Sequence, residues 1–219
     1  TVTLAHAGPL TGSIAHLGKD DENGVALAVQ HANDKKLTIG GKPVTFKMIS
    51  EDDQADPKVG TTVAQKLVDA KVAAVVGHLN SGVTIPASDI YNKAGIPVIS
   101  GSATNPTLTE RGLKTVFRTI GRDDQQGPAI AAYIAGELKG KRVALVDDKT
   151  AYGEGLATCL MSSPRIDTGG KLLQLPESAV PVAIQAVGYP AESWEAGGPP
   201  PKRALGELQR TLRLALVGG

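Results

Sequence analysis

Up to about residue 157 the chain alternates between two rhythms: short apolar runs of strand length, and longer stretches in which apolar residues return every three or four positions. Val2 to Ala7 reads as a buried strand, stopped by Gly8-Pro9-Leu10-Thr11-Gly12. A helix is then predicted from an N-cap at Asn23, with Val25, Ala28, Val29 and Ala32 on one face and a close at Asn33-Asp34. The Gly40-Gly41 turn announces a strand over Val44 to Ile49. Asp56-Pro57 opens a second helix carrying Val59, Val63, Leu67 and Ala70 along one side. Strands follow at Val72 to Val76 and Ile96 to Ile99, with a helix over Ile85 to Lys93 between them. Val116 to Ile120, a helix near Gln125 to Leu138 and the strand Val143 to Val146 begin two further units.

Strands separated by helices of this length predict right-handed βαβ units and a parallel sheet, with the loops at the strand C-termini as the ligand edge. After Ala157 the rhythm stops. Leu175-Pro176, Val180-Pro181, Tyr189-Pro190 and Pro199-Pro200-Pro201 interrupt the chain, leaving a strand at Val182 to Val187 and a helix at Ala204 to Leu216 on either side of a Gly/Pro-rich linker, Ala196 to Pro201.

Composition narrows the class. Of 219 residues, 41% are hydrophobic and only 3% aromatic, the diet of an α/β fold whose strands are buried on both faces. A net charge of +1 without a basic cluster excludes a phosphate-backbone footprint, so no nucleic-acid partner is expected. Cys159 is the single cysteine, which excludes an internal disulfide and a cysteine metal site. No run reaches the roughly 20 apolar residues of a membrane span. The strand-like opening Thr1-Val2-Thr3-Leu4-Ala5 carries no basic, apolar leader, so either a signal peptide has been removed or none existed.

Two loops carry the candidate chemistry. Ser81 sits where a strand passes into a helix, a place where unpaired N–H groups and the positive end of the helix dipole favour an anion. Ser102 and Thr104 offer hydroxyls after the next strand, at the same sheet edge, so both loops could share one carboxylate; equally, Ser, Thr and Asn at such positions serve as local caps and turns. A phosphate loop fails at Gly12 to Asp20, which has five residues between the glycines and an aspartate in place of the hydroxyl, and no G-x-G-x-x-G follows the first strand. His6, His16, His31 and His78 lack ligand spacing and read as surface or strand-end residues. The pairs Asp20-Asp21, Asp52-Asp53, Asp123-Asp124 and Asp147-Asp148 read as strand ends and solvated turns, because adjacent side chains point apart. Cys159 has no histidine partner and reads as a small buried residue.

Six motifs in order, HAGPLTG, EDDQADP, GHLNSGVTIPASDIY, SATNPTLTERG, FRTIGRDDQQGP and DDKTAYGEGLA, resemble the periplasmic binding proteins for leucine, isoleucine and valine over residues 1–157. The resemblance implies the substrate-binding component of an ABC transporter, not an enzyme: a periplasmic protein without a cofactor that takes a branched-chain amino acid and hands it to a membrane permease. It implies an α/β fold of the type I periplasmic-binding-protein kind, a parallel-sheet lobe over residues 1–119 and an incomplete second lobe beginning at 120–157. It assigns Ser81 to the ligand carboxylate, Ser102 to a backbone contact and Thr104 to both ends of the amino-acid group. Leu79 and Asn80 would line the pocket, and Tyr152 would face the ligand from the opposite lobe. Leu17 replaces a tyrosine common in the family, and Ala55 and Asn80 replace the cysteines of its occasional disulfide. The family's acidic partner for the ammonium lies beyond residue 157, so weakened or absent leucine binding is expected.

Residues 155–208, with GLATCLM, KLLQLPESAVPVAIQAVGYPAE and PPPKRALGEL, resemble the C-terminal part of nitroreductase flavoproteins. That resemblance implies a composite chain with a nitroreductase-like tail over 158–219. As an alternative it implies an FMN-dependent oxidoreductase fragment, with Lys202 or Arg203 at the FMN phosphate; a non-functional composite is the third expectation.

Overall fold

The computed structural model describes residues 1–137, 145 and 148–162. In chain order they form β1 (Val2–Gly8), α1 (Ala15–Asp34), the hairpin strands β2 (Thr38–Ile39) and β3 (Lys42–Pro43), β4 (Phe46–Asp52), α2 (Pro57–Asp69), β5 (Ala74–Gly77) and α3 (Ser81–Ala94). Then come β6 (Val98–Ser100), α4 (Thr107–Glu110), β7 (Val116–Arg118), α5 (Asp123–Gly136) and α6 (Ala151–Met161).

β1 is buried from Ala5 onward and pairs on both flanks. Its partner β4 runs parallel in unbroken register from Val2 opposite Phe46 to Gly8 opposite Asp52. The whole sheet is parallel, in the order β4-β1-β5-β6-β7. The chain therefore steps from β1 to one side, then crosses to the other at β5, and the crevice of such a sheet opens at that reversal, above the strand C-termini. The expected parallel α/β architecture is present.

The core between sheet and helices holds Ala5, Ala7, Leu67, Val75, Tyr91, Val98 and Leu108 among others. A fully buried leucine such as Leu67 contributes about 2 kcal/mol by leaving water. α2 forms as predicted: the Asp56 side chain accepts from the N–H groups of Lys58 (2.7 Å) and Val59 (3.0 Å), and Pro57 occupies the first turn. It lies so close to α3 that a Cβ on Gly60 would come within 2.2 Å of Val83 Cγ1.

Several boundaries differ from the sequence expectation, each for a tertiary reason. α1 starts at Ala15, eight residues before Asn23, which lies exposed inside the helix. The helix is anchored by Gly18, where a Cβ would stand 2.1 Å from the Pro9 carbonyl oxygen, and this docking outweighs the capping preference of Asn23. β4 and β5 both end later than expected, because pairing with β1 carries them to Asp52 and Gly77. α3 begins at Ser81 and contains Pro86, so the predicted start at Ile85 was a full turn late. β6 begins at Val98, α5 starts at Asp123, and β7 ends at Arg118. The strand over 143–146, apart from residue 145, the strand over 182–187, the linker over 196–201 and the helix over 204–216 lie outside the described residues.

Candidate functional site

The C-terminal ends of β1, β4, β5 and β6 meet at the crevice, and close packing there begins with Gly77. Its φ is +140°, and a Cβ would stand 2.1 Å from the Ala7 carbonyl oxygen, so only glycine fits. The chain then buries His78 completely. Its Nδ1 lies 2.7 Å from Asp53 Oδ2 and its Nε2 3.1 Å from the Tyr91 hydroxyl. Burial and the Asp53 carboxylate push the Tyr91 phenol well above its ordinary range, so the phenol keeps its proton. The phenol O–H donates to Nε2, which leaves Nδ1–H to donate to Asp53. The His78 carbonyl accepts from Thr84 Oγ1 (3.1 Å) and Ser100 Oγ (2.8 Å), which ties β5, β6 and α3 together.

His78 and Asp53 directly follow β5 and β4, as the strand-end reading has it, but the surface and solvated-turn readings are corrected: His6, His78, Asp53 and Asp123 are at most 1% exposed. Adjacent acids do point apart. Asp52 accepts from the N–H groups of Leu10 (2.8 Å) and Gln54 (2.9 Å) and from Thr11 Oγ1 (2.5 Å), fixing the loop after β1, while Asp53 turns inward.

Ser81 is the first residue of α3 and is buried. The first N–H groups of a helix lack intrahelical partners and carry the positive end of its dipole; here the N–H groups of Val83 and Thr84 donate back to the Asn80 carbonyl. Asn80 makes no side-chain cap, and its Oδ1 is buried without a partner; Leu79 is half-buried. From the next loop the Asn105 N–H donates to Ser81 Oγ at 3.3 Å, which brings the two predicted loops together.

Within that loop the N–H groups of Ser102 (3.3 Å) and Ala103 (2.9 Å) donate to Ser100 Oγ, turning the Ser102 N–H inward. Arg118 holds the loop from below, donating to the carbonyls of Ala103 and Asn105, each at 2.8 Å. Burial, then the neighbouring Arg122 charge, lowers the Arg118 guanidinium from its usual value. Thr104 Oγ1 is buried without a partner, and its carbonyl accepts from the Asp123 N–H at 3.0 Å.

α5 and α6 form the facing wall. Asp124 pairs with Arg122 outside, whereas the Asp123 side chain is fully buried and neither of its oxygens has a partner. Burial raises its carboxyl, opposed by the Thr104 hydroxyl and Arg118 and reinforced by Asp124. α6 begins against both loops: Asn105 Nδ2 donates to the Ala151 carbonyl at 2.6 Å, and a Cβ on Gly82 would lie 3.6 Å from Ala151 Cβ. Tyr152, the next residue, is half-buried, its phenol raised by burial and by Asp123 and Asp148. An open pocket of about 430 Å³ beside Thr104 is lined also by Ile120, Gly121, Arg122, Gln125 and Gln126.

Ser81, Ser102 and Thr104 thus share one edge, with Tyr152 on the helix that abuts it. Leu17 is partly exposed on α1, and Cys159 is half-buried on α6, less enclosed than expected. Lys202 and Arg203 lie outside the described residues. Sequence reasoning missed Asn105, Asp123 and the His78–Asp53 pair. Among the described residues no group of His, Cys, Asp and Glu is arranged to hold a metal, and no helix is long and apolar enough to cross a membrane.

A family profile described as periplasmic binding protein matches residues 1–163. A Leu/Ile/Val-binding protein homolog 2 of Brucella abortus (strain 2308) is 48% identical over 149 residues, 68% of this chain and 39% of the relative. A leucine-, isoleucine-, valine-, threonine- and alanine-binding protein of Pseudomonas aeruginosa is 42% identical over 158 residues, 72% of this chain and 42% of the relative. Among solved structures, a branched-chain amino acid transporter substrate-binding protein of Streptococcus pneumoniae in complex with isoleucine superposes with a TM-score of 0.68 at 33% identity, covering 74% of this chain and 46% of that one. The chain thus spans about two fifths of the curated relatives' length. The flavoprotein resemblance of residues 155–208 finds no support in these matches, and the family match runs through its opening to residue 163.

Proposed function

The chain belongs to the periplasmic binding protein family, and from that premise we propose that it is the substrate-binding component of an ABC transporter, holding a branched-chain aliphatic amino acid in the periplasm for transfer to a membrane permease. The observation that carries the reading is the Asn105–Ser81 hydrogen bond, which sets two hydroxyl-bearing loops side by side at the N-terminus of α3. A buried carboxylate needs several donors, because leaving it unpaired costs several kcal/mol or more. The Ser81 hydroxyl and the first N–H groups of α3 are such donors. Thr104 serves both ends of the amino acid, its N–H facing the carboxylate and its hydroxyl the ammonium.

The Ala103 N–H turns inward to Ser100 Oγ, so the Ser102 carbonyl of the same trans peptide faces the other way and serves as a second acceptor for the ammonium. Leu79 and Asn80 line the aliphatic side chain, and Tyr152 closes over it from α6. In this reading residues 1–119 are the first lobe and 120–157 open the second. Relatives named for leucine, isoleucine and valine support the ligand class. Binding, orientation and release need no cofactor. Calorimetric titration of the full chain with leucine, isoleucine and valine tests the reading: saturable heat at micromolar ligand is expected, and no heat with any of the three would overturn it.

A further inference from the structure

Asp123 holds a carboxylate in a place that costs free energy. Its side chain is fully buried, and both oxygens lack a hydrogen-bond partner. Gly155 of α6 seals it: a Cβ there would stand 2.9 Å from Asp123 Oδ2 and 2.6 Å from Asn105 Nδ2, so the wall closes only because that residue has no side chain. The start of α5 supplies a favourable dipole, and the Arg118 charge acts on the carboxylate without a hydrogen bond to it. Two features give the position a direction. Its N–H donates to the Thr104 carbonyl at 3.0 Å, and Thr104 Oγ1 is itself buried without a partner. An unpartnered acid therefore sits directly behind an unpartnered hydroxyl at the ligand edge, a pair completed by one cation on the far side of the hydroxyl.

Resting on the amino-acid reading above, we propose that Asp123 is a positioning residue for the ligand ammonium: its carboxylate accepts the Thr104 O–H, turns the hydroxyl lone pairs toward the ammonium, and supplies the negative charge that a buried cation requires. The acidic partner expected only beyond residue 157 then has a counterpart within the described chain. A neutral ligand gains nothing from this arrangement, and a cationic one gains a charge-assisted hydrogen bond.

The test compares L-leucine with (S)-2-hydroxy-4-methylpentanoate, in which a hydroxyl replaces the ammonium, on the full chain. Asp123→Asn keeps the size and removes the charge; it lowers leucine affinity by about ten- to a hundred-fold and leaves the hydroxy acid within about two-fold. Equal losses for both ligands, as a merely structural role would give, overturn the proposal, as does unchanged leucine affinity. Thr104→Val gives the same readout without touching the carboxylate. It narrows the preference for leucine over the hydroxy acid by about as much as Asp123→Asn does, the Ser102 carbonyl still accepting from the ammonium, and adding Asp123→Asn in that background costs less than about two-fold more. A preference undiminished by Thr104→Val overturns the relay. A wild-type chain that binds neither acid overturns the amino-acid reading itself, which separates the two failures.

Discussion

The Asn105 N–H donates to Ser81 Oγ across 3.3 Å, joining the loop after β6 to the first residue of α3. Asn105 also donates from Nδ2 to the Ala151 carbonyl at 2.6 Å and accepts at its own carbonyl from Arg118 at 2.8 Å. One residue thus registers the candidate ligand edge against both β7 and α6.

Ser81→Ala removes a donor to the ligand carboxylate and the acceptor for Asn105. A hydrogen bond to a charged group contributes about 1.5–3 kcal/mol, so leucine affinity is expected to fall at least about ten-fold. Calorimetry measures the loss, and a thermal melt separates it from unfolding.

Gly77→Ala places a methyl 2.1 Å from the Ala7 carbonyl oxygen at φ +140°, where neither strand can give without breaking the β1–β5 pairing. A destabilisation of about 3 kcal/mol or more is expected, read as a lowered urea midpoint. A wild-type midpoint would contradict the packing.

His78→Ala strands the fully buried Asp53 carboxylate and removes the partner of Tyr91. Breaking a buried pair from one side costs about 3–5 kcal/mol. Asp53→Asn, which keeps an acceptor for Nδ1–H, is expected to cost less in the same denaturation experiment.

Burial lowers the His6 imidazole below its ordinary 6.5, opposed by Glu22. The unfolded chain then binds the proton more readily than the native one, so this contribution to stability is complete above pH 6.5 and is lost as pH falls below it. His6→Gln is expected to flatten the fall of the melting temperature on that acidic side.

Asp123 has the opposite sign: its carboxyl is raised above 3.8, so the native chain holds the proton more readily and stability falls as pH rises through the raised value. Asp123→Asn is therefore expected to melt higher than the wild-type chain at neutral pH without ligand. The residue that aids recognition costs stability in the empty site.

Local chemistry was legible where it is local. Asp56-Pro57 makes a cap and a first-turn proline whatever surrounds it, and the rhythm of β1, β4, β5 and β6 set a parallel sheet. Ser81, Ser102 and Thr104 could be placed because each follows a strand. α1 was misplaced since its start depends on Gly18 meeting Pro9, a contact invisible in the capping pattern. Asp123 and the His78–Asp53 pair were missed for a related reason. Whether an acid is solvated or sealed depends on what packs over it, and Gly155 lies 32 residues along the chain from the carboxylate it covers.

Amide spectra of the uniformly ¹⁵N-labelled full chain, recorded with and without L-leucine, test the central claim most directly, because they report both binding and place. Saturable shifts concentrated at the amides of residues 79–82 and 102–105 are expected. An unchanged spectrum, or shifts confined to other residues, would contradict the assignment of this edge as the amino-acid site.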